Sequence, residues 1–132
     1  MGEAAAKQGD RVTGTDTHVV MVPSASGQVA TPLPHPFSGP LNGGLSADVK
    51  IMGRPAAVVG STADNVPPHV PTAPGSSFEK PPSNKATVQS GSATVKINGK
   101  PAARNGDTAL TCNDPSDLPN GTVDASGSVR IG

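Results

Sequence analysis

An all-β fold of short hairpins and long ordered loops is what this sequence predicts, and three observations predict it. Short β-branched runs such as Val49-Lys50-Ile51 and Val95-Lys96-Ile97 are punctuated by glycine and proline, the arrangement of many short strands joined by tight turns. Residues 46–63 align without a gap on residues 92–109, at an offset of 46, with twelve identities in eighteen positions. The segments between these units are rich in Pro, Ser, Gly and Asn and carry no helical periodicity. Duplicated units of this size pack around an approximate axis, because each buries a face that it cannot bury alone.

From the N-terminus, residues 1–8 read as a flexible tail and residues 9–132 as a single domain. Gly9-Asp10-Arg11-Val12-Thr13 resembles Gly60-Ser61-Thr62-Ala63 and Gly106-Asp107-Thr108-Ala109, so a degenerate third copy opens the domain with only its downstream half retained. Residues 23–44 follow as a loop. Residues 48–52 then form a strand that turns at Met52-Gly53 into a return strand beginning Pro55-Ala56-Ala57. A second loop, 67–84, leads to the equivalent hairpin, which turns at Asn98-Gly99 in a type I′ geometry and returns through Pro101-Ala102-Ala103. Proline at the start of a return strand costs least, since the missing amide is not needed there. After a third loop, 113–121, Gly127-Ser128-Val129-Arg130-Ile131 resembles the strand half of the repeat. The two ends of the chain are therefore expected to complete a third unit and give pseudo-threefold symmetry. Loops of this length are expected to be pinned at least in part.

Composition narrows the function. At 132 residues there is room for one domain, and with 33% hydrophobic residues, no Trp, no Tyr and two Phe its core must be thin. Ten basic and ten acidic residues cancel, and no basic stripe or aromatic platform exists for nucleic acid. The first eight residues lack the apolar segment of a signal peptide, and no run is long and apolar enough to anchor the chain in a membrane, so synthesis and retention in the cytoplasm are expected. The single cysteine cannot form an internal disulfide, so a thin core needs another staple.

The three histidines, His18, His35 and His69, and Cys112 make the nitrogen and sulfur inventory of a closed tetrahedral zinc site. The repeat register supports the set, since His18 lies nine residues after Gly9, His69 nine after Gly60 and Cys112 six after Gly106. His35, between Pro34 and Pro36, would come from the first loop. Prolines beside His35 and His69 restrict the backbone and lower the entropy of ordering these loops. Spacing alone also allows solvated histidines and a small buried thiol.

Pro101-Ala102-Ala103-Arg104 spells the PAAR motif, and Pro55-Ala56-Ala57-Val58 nearly repeats it. With the Val-x-Ile-x-Gly-x-Pro-Ala-Ala hairpin around both copies, and with residues 31–40 (TPLPHPFSGP), the chain resembles PAAR-repeat proteins of contractile injection systems over most of its length. Val58 departs from the motif's arginine. The resemblance implies a small conical PAAR fold whose base sits on a trimeric VgrG-like spike, one chain per trimer, with one structural zinc ion near the point held by His18, His35, His69 and Cys112. It implies a non-enzymatic tip that sharpens the spike for piercing a target membrane, assembled in the cytoplasm on a type VI or an extracellular phage-tail-like apparatus and delivered outward on contraction. Secreted effectors are possible partners, and no fused toxin is expected. The competing readings are an effector adaptor and a small zinc hydrolase. The latter needs an open ligand position and a base, for which Asp16, Asp64, Asp107 and Asp114 lie nearest the ligand loops but in no catalytic motif.

Overall fold

The computed structural model describes residues 2–132 and contains only strands, turns and loops among them. In chain order the strands are β1 (Glu3–Ala4), β2 (Arg11–Ser24), β3 (Gly27–Gly43), β4 (Lys50–Ile51), β5 (Arg54–Pro55), β6 (Thr62–Asp64), β7 (Ser77–Phe78), β8 (Lys85–Val88), β9 (Lys96–Ile97), β10 (Lys100–Pro101), β11 (Thr108–Thr111), β12 (Leu118–Asp124) and β13 (Arg130–Ile131).

The two sequence repeats form the expected hairpins, β4–β5 and β9–β10. Met52 and Gly53 have φ of 52° and 83°, and Asn98 and Gly99 have 53° and 79°, the two positive values that a type I′ turn requires. The third hairpin is split between the chain ends, where β1 pairs with β13, Glu3 opposite Ile131 and Ala4 opposite Arg130. This register makes Ala4-Ala5-Ala6-Lys7 the third copy of the motif. Residues 2–8 are thus part of the fold and not a flexible tail; Met1 lies outside the described residues. The physical reason is burial: Ala4, Ala5 and Ala6 sit in the core, where the small side chains of the other two copies also sit.

Threefold equivalence is carried by the backbone. The amide of Ala6 donates to Ala103 O, that of Ala103 to Ala57 O and that of Ala57 to Ala6 O, at 2.9, 3.0 and 3.0 Å, closing a ring of three hydrogen bonds. All three alanines have no exposed surface, so no larger side chain fits around this ring. Isolated bridges repeat the rotation, pairing Ala5 with Arg104, Lys7 with Ala56 and Val58 with Ala102.

Beyond the ring, β12, β11, β8, β6, β3 and β2 pair in that order, and β12 also pairs with β2, so six strands close on themselves and leave no free edge at this level. The joints are equivalent: Leu41 opposite Ala63, Val88 opposite Ala109, Val123 opposite Val12. These six side chains lie in the main apolar core, together with Phe37, Cys112 and the alanines of the ring among others. Ile51, Ile97 and Ile131 fill a separate cluster with Ala5, Ala56 and Ala102 under the hairpins.

Symmetry breaks at β2 and β3. These strands stay paired from Arg11–Pro40 to Ser24–Gly27 without a register shift, a hairpin of roughly 45 Å at the usual rise per residue. The region 23–44, expected to be a loop, is therefore mostly strand. Its prolines explain both the expectation and the outcome. Pro32, Pro34 and Pro36 occupy alternate, exposed positions, and Pro32 and Pro34 stand opposite Val19 and Thr17, whose own amides and carbonyls turn away from β3, so no amide the prolines lack is needed for the ladder to β2. The intervening His35 and Phe37 face inward and are buried. Gly39 permits the closure of β3 on β6, since a side chain there would meet the carbonyl of Asp64.

Candidate metal centre

The alternation of β2 puts Val12, Asp16, His18 and Val20 on its inner face, while β3 contributes His35 and Phe37 from the facing strand. His69 comes from the loop after β6, where its amide donates to Asn84 Oδ1 at 2.8 Å. Cys112 follows β11 directly, its amide bonded to Lys85 O at 3.1 Å. The long hairpin and the segments after β6 and β11 thus deliver polar side chains to one buried place.

The three imidazole rings lie together, with centroids 5.0 Å apart for His18–His69 and 5.6 Å for each ring to His35. Both phenylalanines of the chain enclose them: Phe78 stands 5.8 Å from His18 and 5.3 Å from His35, and Phe37 6.1 Å from His69. β7, which carries Phe78, is held on β2 opposite Val20 and Met21.

Asp16, His18, His69 and Cys112 each point one donor atom to a common centre, all within 4.8 Å of one another. Asp16 Oδ2 lies 3.0 Å from His69 Nε2, 3.3 Å from Cys112 Sγ and 4.0 Å from His18 Nε2, and the sulfur lies 3.6 Å from His18 Nε2. Tetrahedral ligands at about 2.0 to 2.3 Å from an ion stand roughly 3.3 to 3.7 Å from one another, and these separations of 3.0 to 4.0 Å bracket that range, close enough for the donors to hold one ion. His35 is beside the cluster, but Nδ1 lies 3.0 Å from Leu33 O and Nε2 3.0 Å from Thr72 Oγ1. Of the four residues singled out by sequence, His18, His69 and Cys112 present donor atoms to one centre, and His35 contributes its ring to the wall.

The fourth member of the cluster, Asp16, stood out in the sequence only as a carboxylate near the ligand loops. The signal that marks it is its position two residues before His18, on the same face of a strand. It is fully buried, and its other oxygen accepts the hydroxyl proton of Thr111. The remaining carboxylates divide: Asp64 is exposed and paired with Lys85, Asp107 with Arg104, and Asp114 approaches His18 Nδ1 at 3.5 Å.

Electrostatics suits a cation. Burial lowers the His18 pKa below its ordinary value, against the pull of Asp114 and Asp16, and the neutral ring offers a lone pair. His18 Nδ1 is buried without a hydrogen bond, turned toward the Asp114 carboxylate, which is where a carboxylate behind a ligating histidine stands. Burial, then the Asp16 charge, pushes the Cys112 thiol up to about 12 in the absence of a cation. A divalent ion at the centre would offset that penalty, since thiolate is the ligating form. The donor set and its spacing fit a metal ion.

Surrounding loops are pinned to β2: Thr17 donates to Asn113 Oδ1 at 2.7 Å, Val19 to Asp114 Oδ2 at 3.0 Å, and Asp114 to Thr17 O at 2.8 Å. Between β3 and the loop carrying His69 runs a groove of about 480 Å³ lined by His35, Pro36, Val66, Pro68, Val70 and Thr72 among others.

The departure at Val58 also has a structural basis. In two copies the fourth motif residue is a cation paired with an aspartate three positions on, Lys7 with Asp10 at 3.1 Å and Arg104 with Asp107 at 2.9 Å. In the remaining copy Val58 is followed by Ser61, and both partners are neutral. All three turns keep the same bond, in which the side chain of Asp10, Ser61 or Asp107 accepts the amide of Lys7, Val58 or Arg104.

No curated protein and no solved structure matches the chain. The family model for the PAAR motif matches residues 20–108 and 79–132. With three motif copies around one axis and a buried donor cluster beyond them, the chain belongs to the PAAR motif family, a family of spike-tip proteins.

Proposed function

We propose that this chain is the metal-stabilised tip of a bacterial contractile injection system, one copy closing the end of a trimeric VgrG-like spike and leading it through the target membrane. The observation that carries this reading is the ring joining Ala6, Ala103 and Ala57, because it gives one polypeptide three equivalent faces with which to meet a threefold partner. Before firing the protein resides in the cytoplasm on the assembled apparatus, and contraction carries it outward.

The metal is zinc, bound once per chain by His18, His69 and Cys112 with a fourth donor. Two residues contend for that corner. His35 completes the three-histidine, one-cysteine set that the family resemblance implies. Asp16 is favoured by the donor spacing, whereas His35 would have to leave Leu33 and Thr72. When bound, zinc supplies coordinate bonds that tie loops from three parts of the chain to one point, a contribution on the order of 10 kcal/mol in small domains. The protein's own part is to hold the donors dry and oriented: Thr111 fixes Asp16, Asn84 fixes the backbone of His69, and the two phenylalanines exclude water. With four donors converging, a hydrolytic water has no assigned position, so the role is structural.

Co-purification with the trimeric spike tests this. One chain per three spike chains is the expected ratio; a ratio of three to three, or no complex, refutes it.

A further inference from the structure

We infer that the hairpin end of the molecule is a cationic, three-cornered seat, and that the spike face it meets is apolar at its centre and ringed by carboxylates. This rests on the capping reading above and adds the chemistry of the contact. Its basis is an excess of cations on the three hairpins, outweighing Glu3 and Asp48, in a chain whose formal net charge is zero.

Three positions of the repeat converge. Lys50, Lys96 and Arg130 are equivalent, standing opposite Pro55, Pro101 and Ala4 in the three hairpins. Arg54, Lys100 and Glu3 are equivalent in the same way, opposite Ile51, Ile97 and Ile131. All six are exposed. Five of them are cations, and none has an ionic partner, since among the described residues the lysine and arginine ion pairs are Lys7–Asp10, Lys85–Asp64 and Arg104–Asp107. Arg54 and Arg130 reach only the backbone carbonyls of Gln8 and Gly2.

The same hairpins expose apolar surface in threefold form. Val49, Val95 and Val129, whose carbonyls accept the amides of Ala56, Ala102 and Ala5, are 36%, 36% and 40% exposed. Directly inward lie Ile51, Ile97 and Ile131, all buried. Isolated exposed valines mean little, but three at equivalent positions repeat one apolar feature with the threefold spacing that a trimeric partner can match. Unpaired cations around an apolar centre repel one another until a partner brings opposite charge, and complementary charge also fixes the register of docking. Carboxylates at threefold positions on the partner satisfy both.

Binding of this chain to the trimeric spike of the same apparatus, measured across salt concentrations, tests the inference. Raising salt from about 0.05 to about 0.5 M is expected to weaken binding at least about tenfold, because screening acts on exposed charges. The variant Lys50→Glu/Lys96→Glu should bind at least about tenfold more weakly with unchanged metal content, while Lys50→Arg/Lys96→Arg should bind as the parent does. A one-to-three complex that ignores both salt and charge reversal overturns this inference and leaves the capping reading standing. Absence of any complex at low salt overturns both.

Discussion

His69 Nε2 lies 3.0 Å from Asp16 Oδ2, a contact that joins a proline-bounded loop to the long hairpin across 53 positions of sequence. Neither residue is near the other in the chain, and both orient toward Cys112. The contact adds a buried side-chain tie between the His69 loop and the long hairpin to the ties that strand pairing already makes.

Removing that cross-link should be visible in stability. Purified protein is expected to carry about one zinc per chain, and chelation, His69→Ala or Cys112→Ser should each abolish it and lower the melting temperature by upward of about 10 °C. Elemental analysis and thermal unfolding check this together. A variant that loses the metal and keeps its melting temperature would contradict a structural role.

The fourth corner is decided by a pair of variants. Asp16→Asn keeps the size and the Thr111 contact but removes the charge, and should weaken zinc at least about tenfold, whereas His35→Gln should weaken it by less than about threefold. Competition with a chromophoric chelator gives the ratio. The reverse ranking assigns the corner to His35.

Metal-free protein should be sensitive to alkali. Burial, then the Asp16 charge, raises the Cys112 thiol from an ordinary 9.0 to about 12, so the folded chain keeps a proton that the unfolded chain releases. The unfolded state binds fewer protons in that window, and stability falls as pH rises from 9 toward 12. Urea unfolding in the presence of chelator should show the fall, and Cys112→Ser should flatten it.

Ser61→Ala isolates the turn that follows the motif. The hydroxyl accepts the Val58 amide and donates to Gly44 O, each at 2.9 Å, in a position with no exposure. Leaving both groups unpaired should cost about 1 to 3 kcal/mol, read from the urea midpoint at constant slope.

The hairpins, their turns and the all-β class were legible because each is encoded locally: alternation, a two-residue turn and a repeat that can be laid over itself. The joining of the two chain ends into a third unit was legible too, but its motif copy was not, because Ala4 replaces the proline. Nor was β3, since proline is ordinarily a strand breaker, and only the register, which sets the alternating prolines opposite residues whose amides turn away from β3, shows that they are harmless there. His18, His69 and Cys112 could be found from chemistry and register. Asp16 could not be ranked above the other aspartates until the fold placed it beside Cys112, because a carboxylate's role depends on what is buried around it.

The ring of alanine amides looks the same after each third of a turn, but the long hairpin and its histidines do not. On any threefold support such a chain has three docked orientations of equal energy, so a population of assembled particles points its hairpin in three directions at random. Density averaged under imposed threefold symmetry would keep the alanines sharp and smear β2 and β3 into three faint ghosts; recovering them requires treating each particle without symmetry.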